Sequence, residues 1–310
     1  MNALMIVAHP NLDESIANKN IAEIMSDKGV SVRNIMDLYP DYKVDIEAEQ
    51  LALMEADTII FQYPFYWYNM PAILKQWFDE VFSFNFAYGP EGDKLKGKNF
   101  LLSFTVGGPA DSYSPIGYNH FRIEEFTKPM EQTAYLAQMT FLAPVYEHGM
   151  VYVPNVYNTK EAVEERAAKQ ADRLVKILDD LESTAPEHMI NEFVKDWFAH
   201  FDKMADDGYF NHHLDKQAKL KFVEGEYIGH EGFSEWYKEI KKLIKPDNEH
   251  IIKSISINKH DDYYKVDLTV NLKADTYHDG FIDLNVKETW KVAITRDGRV
   301  KIHEYKVSTI

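Results

Sequence analysis

Residues 58–82 read TIIFQYPFYWYNMPAILKQWFDEVF, and this stretch decides the fold. It begins with a short apolar run over 58–61, which is typical of a buried strand. An aromatic loop follows up to Pro71, and Pro71 stands at the start of a helical pattern that runs to residue 82, where proline is favoured. A strand that leads through a short loop into a helix predicts one unit of an alternating α/β fold.

The same alternation extends to both sides of this stretch. Apolar runs predict further strands over residues 4–8, 30–36, 100–106 and 142–147, and helical patterns cover 15–28, 122–138 and 159–182. We therefore predict that residues 1–183 form an α/β domain with a doubly wound parallel sheet. Ligands of such sheets bind beyond the carboxyl ends of the strands, so the loops after Ala8, Phe61 and Val106 are the segments of interest.

The composition excludes several classes of protein. A formal net charge of −16 argues against a surface that binds nucleic-acid phosphates, and no long apolar run predicts a membrane span. The absence of cysteine excludes thiolate chemistry and fits a cytoplasmic protein, and we expect no signal peptide. No motif predicts a metal site. So acidic a domain would have to bind an anionic ligand through backbone amides rather than lysines.

Three loops at the predicted sheet edge contain candidate ligand-binding residues. In the first, Ser15 caps a helix whose exposed amides can hold a phosphate, although a serine before a helix is often only a cap. In the second, four successive aromatic residues suit a flat ring such as isoalloxazine, or alternatively a protein partner. In the third, Gly107 and Gly108 let a ligand approach the backbone, or simply form a turn. The three loops together favour a ligand pocket.

These residues carry a resemblance to a known family. Residues 1 to about 180 resemble the flavodoxin-like NAD(P)H:quinone oxidoreductases, on the strength of residues 8–10, 37–39, 61–82, 86–89, 95–98 and 103–108. The resemblance implies that the flavin phosphate is bound by His9, Ser15, Ala17 and Asn18. It implies that the isoalloxazine ring is contacted by Pro64, Phe65, Tyr66 and Trp67. It places the pyrimidine side of the flavin against Thr105, Val106, Gly107 and Gly108.

The same resemblance implies the catalytic residues. Tyr113 matches a tyrosine that lies beside the flavin and helps to stabilise the reduced anion. Some members have a histidine six residues later, where this chain has Asn119, so the adjacent His120 is the expected substitute.

The activity implied by the resemblance is a two-electron hydride transfer of the ping-pong type. NAD(P)H would reduce the flavin, with FMN favoured over FAD, and a quinone-like acceptor would then take its place. The family also implies a homodimer in which the partner subunit completes the site.

Residues 188–310 have a different pattern and follow a predicted linker at 183–186. Helical segments over 189–206 and 232–244 precede strands over 264–272 and 282–292, which predicts an α+β domain with an antiparallel sheet. The layout resembles the cone of the nuclear transport factor 2-like (SnoaL-like) family. Glu288 interrupts the apolar phase of one strand, and either it marks a polar pocket or a bulge turns it outward.

Three functions remain open at this point. The leading one is the NAD(P)H:acceptor oxidoreductase. The second is a regulatory flavoprotein that binds a partner such as a transporter. The third is a bifunctional chain whose C-terminal domain acts on a small molecule of its own.

Overall fold

A computed structural model of the chain describes residues 1–278, 280–295 and 297–310. The chain divides into two compact units, Met1–Glu182 and Ser183–Ile310. Each unit encloses its own apolar core. Within the described residues, none of the helices combines the length and the apolar character needed to cross a bilayer.

The N-terminal unit is built on a six-stranded parallel sheet. Its strands are β1 (Ala3–Val7), β2 (Ser31–Asn34), β3 (Thr58–Pro64), β4 (Asn99–Thr105), β5 (Thr140–Phe141) and β6 (Val145–Glu147). They lie in the order β2-β1-β3-β4-β5. β5 pairs with the start of β4, and β6 pairs with the end of β4 on the same side. All the pairings are parallel. This topology confirms the predicted doubly wound sheet, whose switch point lies between β1 and β3.

Helices cover both faces of this sheet. They are α1 (Ile16–Asp27), α2 (Ile35–Leu38), α3 (Ile46–Glu55), α4 (Ala72–Val81), α5 (Ile123–Phe126), α6 (Lys128–Leu136) and α7 (Lys160–Ser183). Because side chains alternate along a strand, Leu4 and Ile6 pack on the face of α2–α6, and Met5 and Val7 pack on the face of α1 and α7.

Several predicted bounds in this unit were wrong for local reasons. The strand predicted over 30–36 ends at Asn34, whose side chain accepts a hydrogen bond from the amide of Met36 and starts the helical turn α2. The helix predicted over 122–138 divides into α5 and α6 around Thr127, and Pro129 lies in the first turn of α6. The strand predicted over 142–147 is limited to β6 at 145–147, with β5 before the predicted range at 140–141, and helix α3 was not predicted.

The C-terminal unit has an α+β architecture. Its helices are α8 (Pro186–Asp202), α9 (Asp207–His213) and α10 (Gly229–Leu243). Its strands are β7 (Leu214–Lys221), β8 (Glu226–Ile228), β9 (Glu249–Lys259), β10 (Tyr264–Asp275), β11 (Phe281–Ile294) and β12 (Val300–Thr309). They form one sheet in the order β8-β7-β12-β11-β10-β9. Helices and a long, mostly antiparallel sheet are the layout that the cone resemblance implies.

Two details of this unit differ from the prediction. The sheet is mixed rather than antiparallel, because β7 lies among the helices in sequence and pairs parallel with β12. The predicted linker at 183–186 is shortened to Thr184 and Ala185, since α7 ends at Ser183 and α8 begins at Pro186, where proline occupies a first-turn position.

Glu288 lies on the inner face of β11. Val286 and Trp290, its neighbours on the same face of β11, are buried too, and Glu288 is only 4% exposed. The bulge that was expected to turn it outward occurs later, between Lys291 and Val292 in the pairing with β12. The outward alternative is therefore wrong.

A buried carboxylate ties helix α3 to the N-terminal unit. Glu49 is fully buried and forms an ion pair with Arg33 on β2. It also accepts hydrogen bonds from the Tyr39 hydroxyl (2.6 Å) and the Trp77 indole (3.1 Å). Burial and the adjacent carboxylate raise the pKa of Tyr39 to about 12, so this hydroxyl remains a donor. Every acceptor position of the carboxylate faces a donor, as burial requires.

We predict that Glu49→Gln destabilises the N-terminal unit by about 2 to 3 kcal/mol. This is below the loss of roughly 3 to 5 kcal/mol for a fully buried pair, because Arg33 is partly exposed and keeps some solvation. Urea denaturation measures the difference. Glu47→Gln, on the exposed side of the same helix, is the matched control and should change stability by less than about 0.5 kcal/mol. Equal stability of the two variants would contradict the prediction.

Candidate functional site

A cleft lies where the carboxyl ends of β1, β3, β4 and β6 meet. It has a volume of about 260 Å³ and draws on the loops that follow each of these strands. Nine of the residues expected at the flavin line it: His9, Ser15, Ala17, Asn18, Pro64, Phe65, Tyr66, Thr105 and Gly107. The other expected residues, Trp67, Val106, Gly108, Tyr113 and His120, are not among its lining.

The N-terminus of helix α1 forms one end of the cleft. Ser15 is its N-cap, and the Ser15 hydroxyl accepts the amide of Asn18 at 3.2 Å. The amides of Ile16 and Ala17 precede any intrahelical acceptor, and no other backbone acceptor for them occurs among the described residues, so they are available to a ligand in the cleft. The positive end of the helix dipole adds to their attraction for an anion.

Asn18 has a supporting position beneath this helix end. Its side chain is buried, and the amide nitrogen donates to both Ser15 Oγ and Thr105 Oγ1, each at 3.1 Å. Its carbonyl oxygen accepts from Gln62 Nε2 at 2.8 Å. Both amide hydrogens are thus occupied within the protein. Asn18 holds Ser15 and Thr105 in place, and its side chain offers no spare donor to a phosphate.

The network continues below the floor of the cleft. Gln62 Oε1 accepts from Ser103 Oγ at 2.6 Å, and Ser103 Oγ accepts from Gln170 Nε2 on α7 at 2.9 Å. All three residues are fully buried. The chain of hydrogen bonds therefore links α1, β3, β4 and α7 directly behind the site.

The charge of the cleft is unusual for an anion site. Among the described residues that line it, none is a lysine or arginine, and Glu14 is the charged one. The nearby Lys19 is paired with Asp13 at 3.0 Å. Burial lowers the pKa of His9, which favours the neutral ring. An anion here would depend on backbone amides, as the acidic composition led us to expect.

His9 joins the helix end to the aromatic loop. Its Nδ1 accepts the amide of Asn11 at 3.1 Å, so the neutral ring carries its proton on Nε2. That nitrogen lies 3.4 Å from the Tyr66 hydroxyl.

The aromatic loop turns back sharply at its tip. The Asn69 amide donates to the Tyr66 carbonyl at 3.0 Å, and the two residues between them, Trp67 and Tyr68, have φ angles of 48° and 64°. Left-handed backbone is rare for bulky residues and costs energy. The turn leaves Phe65 and Tyr66 at the cleft and projects Trp67 into solvent, where it is 91% exposed.

The glycine loop supplies a second group of free amides. Val106 donates to Glu147 in the sheet, whereas no acceptor for the amides of Gly107 and Gly108 is found within the described chain. A Cβ added at Gly107 would lie 3.0 Å from the Val151 side chain, so the glycine keeps the backbone accessible without a clash. The Thr105 carbonyl accepts the Phe65 amide at 2.9 Å and fixes the spacing of the two loops.

Tyr113 has a different histidine neighbour from the expected one. His120 is exposed at a positive φ of 62°, and no side-chain contact with Tyr113 is recorded for it. Asn119 bridges the Tyr68 hydroxyl and Ser112 Oγ at 3.0 and 2.9 Å. Instead, the ring of His148 lies 5.3 Å from that of Tyr113. His148 Nδ1 donates to the Gly108 carbonyl at 3.1 Å, and no hydrogen-bond partner of its Nε2 occurs among the described residues.

The sequence analysis missed the fourth loop of the cleft. Met150, Val151 and Tyr152 line the cleft, and His148 precedes them directly after β6. A signal was present, because this loop also follows a strand of the parallel sheet.

Comparison with known proteins gives the same picture of residues 1–175, which match the family model described as the flavodoxin-like fold. An uncharacterized NAD(P)H oxidoreductase of Bacillus subtilis, YdeQ, is 40% identical over 183 residues, which is 59% of this chain and 88% of that protein. KefF of an Enterobacter species, an ancillary protein of a glutathione-regulated potassium-efflux system, is 41% identical over 47% of this chain and 82% of its own.

A solved structure adds a cofactor to the comparison. The general stress protein 14 of Treponema denticola in complex with FMN is 31% identical, with a TM-score of 0.53, over 59% of this chain and all of that one. Since the family model covers more than half of its residues, this chain belongs to the flavodoxin-like fold family.

Proposed function

We propose that residues 1–183 form a flavin-binding domain that takes hydride from NAD(P)H and reduces a quinone-like acceptor. The observation that carries the proposal is the cleft itself, which joins free helix amides at one end to free glycine amides and aromatic rings at the other. FMN fits this arrangement better than FAD, since one phosphate suffices for the helix end and the similar general stress protein 14 is complexed with FMN.

Each part of the cleft has a defined task in this proposal. The amides of Ile16 and Ala17, with the Ser15 hydroxyl, would bind the phosphate. Phe65 and Tyr66 would lie against the ring, and the amides of Gly107 and Gly108 would stabilise negative charge at its pyrimidine edge. A bound flavin would supply the hydride chemistry, accepting from NAD(P)H and delivering to the acceptor in alternate, ping-pong turns.

The first test is the isolated protein. Purified chain should be yellow, release FMN on denaturation and oxidise NAD(P)H when a quinone is added. A colourless protein that cannot be reconstituted with FMN or FAD would overturn the proposal. A yellow protein without turnover would favour a regulatory flavoprotein that binds a partner, a function suggested by the similarity to KefF.

The free amide of Ile16 can be deleted without disturbing the helix. Proline is favoured at the first helical position, and Ser15 before it already has the extended backbone that proline requires. We predict that Ile16→Pro weakens FMN affinity about tenfold relative to Ile16→Ala, because it removes one hydrogen bond to a charged phosphate. Ile16→Ala is the matched control for the lost side chain. Equal affinities of the two variants, measured by flavin fluorescence titration, would contradict the role of this amide.

A second pair of variants separates the two candidate histidines. We propose that His148, rather than His120, exchanges the proton beside Tyr113. His148→Asn should lower kcat by about 10²-fold, the low end for general acid–base groups, and alter the pH profile of kcat. His120→Asn should leave both unchanged. If His120→Asn lowers kcat and His148→Asn does not, the residue that exchanges the proton is His120.

The cleft opens within an apolar rim that suits a homodimer. Trp67, Ile116 and Val156 are 91%, 99% and 79% exposed, and they lie on three of the loops at this edge of the sheet. Exposed apolar surface of this kind marks an association site. We propose that a second copy of the chain covers it and completes the cleft.

We predict that Ile116→Asp shifts the protein from dimer to monomer in sedimentation velocity and lowers quinone reductase activity with it, because the charge would be desolvated at the interface. Asp111→Asn, a charge change at an exposed site in the same loop, is the control. A dimer that persists in Ile116→Asp would place the interface elsewhere.

A further inference from the structure

The fourth loop of the cleft, residues 148–159, is not held in place by burial. Met150 packs into the core, but the residues from Val151 to Val156 are all exposed. Three successive residues of this loop, Met150 to Tyr152, nevertheless line the cleft. Exposed loops are more mobile than the elements that they connect, so a cleft wall built from this one requires polar contacts that fix its backbone.

Two side chains, Asn158 and Arg166, supply these contacts. Asn158 Nδ2 donates to the carbonyl oxygens of Gly149 and Val151, at 2.9 and 2.7 Å. Arg166 Nη1, on helix α7, donates to the same Gly149 carbonyl at 2.8 Å and to Asn158 Oδ1 at 3.0 Å. We call this pair of side chains the loop clamp. It ties the beginning of the loop to its end and both to α7.

The loop backbone is shaped to fit the clamp. Gly149 and Asn158 have φ angles of 67° and 58°, in the left-handed region that glycine and asparagine adopt most readily. A Cβ added at Gly149 would lie 3.1 Å from Arg166 Nη1, so a larger residue would press on the guanidinium. No carboxylate of the described chain forms an ion pair with Arg166. The guanidinium therefore serves the loop rather than an acidic partner.

The clamp is also connected to the glycine loop of the cleft. The Gly149 amide donates to the Gly108 carbonyl at 3.3 Å, and His148 Nδ1 donates to the same oxygen at 3.1 Å. The Met150 amide donates to the Val106 carbonyl at 2.9 Å. Because Gly149 accepts the clamp bonds through its carbonyl and contacts Gly108 through its amide, the clamp fixes the spacing of the two loops.

We propose that Asn158 and Arg166 are positioning residues of the flavin cleft, which hold the fourth loop in its ligand-binding conformation before a flavin binds. Neither is among the described residues that line the cleft, so they act through Gly149 and Val151. A loop that is already ordered loses little conformational freedom on binding, and the affinity for the ligand is higher for that reason. The inference rests on the flavin binding proposed above.

Two glycine variants of the same loop test the clamp. Asn158 and Asn155 have φ angles of 58° and 59°, so glycine replaces either without backbone strain and at the same entropic cost in the unfolded chain. Asn158→Gly removes the clamp bonds. Asn155 is exposed, with no side-chain hydrogen bond to the described chain, so Asn155→Gly is the matched control.

Flavin fluorescence titration of the flavin-free full chain measures the affinity of each variant. We expect Asn158→Gly to raise the dissociation constant of FMN about tenfold, because the loop must be ordered at the expense of binding. Asn155→Gly should change it by less than about twofold. Melting temperatures of the flavin-free variants establish that both are folded to the same extent.

Hydrogen–deuterium exchange of the flavin-free chain measures the loop itself. Amides of residues 149–158 should exchange about fivefold faster in Asn158→Gly than in the wild type, and those of β3 at an equal rate. Arg166→Met should have the same effect on the loop. Lys169→Met, which removes a charge one turn further along α7 from a side chain paired with Glu165, is its control.

Three results are distinguishable. Asn158→Gly that binds FMN as tightly as the wild type overturns the inference, and if its loop amides also exchange faster, the clamp has a structural role alone. Weaker FMN binding by Asn155→Gly and Asn158→Gly alike overturns it as well, because the effect would then belong to glycine rather than to the clamp. A wild-type chain that binds no flavin overturns the proposed function, and this inference with it.

Discussion

The site of the N-terminal unit depends on the buried amide of Asn18. This one side chain donates to Ser15 and to Thr105 and accepts from Gln62, so it fixes the helix end, the glycine loop and the central strand relative to one another. Each of these bonds lies in a buried environment where an unpaired amide would cost about 1 to 3 kcal/mol. Loops that are free to move in isolation are thereby held as one surface.

Such rigidity matters because the cleft has little charge to attract an anion. In its described lining, Glu14 opposes a phosphate and the neighbouring Lys19 is already paired. Attraction must come from amide dipoles, which act over a short range and only when they converge on one point. The hydrogen-bond network of Asn18 holds the start of α1 in a fixed position against β3 and β4.

Two buried carboxylates show how the same residue type serves different ends. Glu49 faces an arginine, a tyrosine hydroxyl and an indole, so its charge is satisfied and its role is to anchor α3. Glu288 has the Tyr305 hydroxyl and the Trp290 indole as donors but no cation among the described residues, so burial raises its pKa to about 7. The difference lies in the donors that the fold brings to each carboxyl.

The sequence by itself determined the alternation of strands and helices, the parallel sheet and the edge at which the ligand loops meet. Periodicity and chain order suffice for this, because parallel strands present their carboxyl ends on one side. It also determined that Ser15 would cap α1 and that Gly107 would lie at the cleft. The short helix α2 was not predicted and the start of β6 was placed wrongly, since three or four residues carry no measurable period.

Only the tertiary structure decided which polar side chains are hydrogen-bonded within the protein and which groups remain open to the cleft. The side-chain amide of Asn18 is bonded to Ser15, Thr105 and Gln62 although the residue lines the cleft. His148 contacts Tyr113 from the loop after β6, 35 residues further along the chain. Glu49 has its partners Arg33, Tyr39 and Trp77 on three other elements of the chain. Hydrogen bonds between residues far apart in sequence follow from the packing of whole elements, which no local pattern specifies.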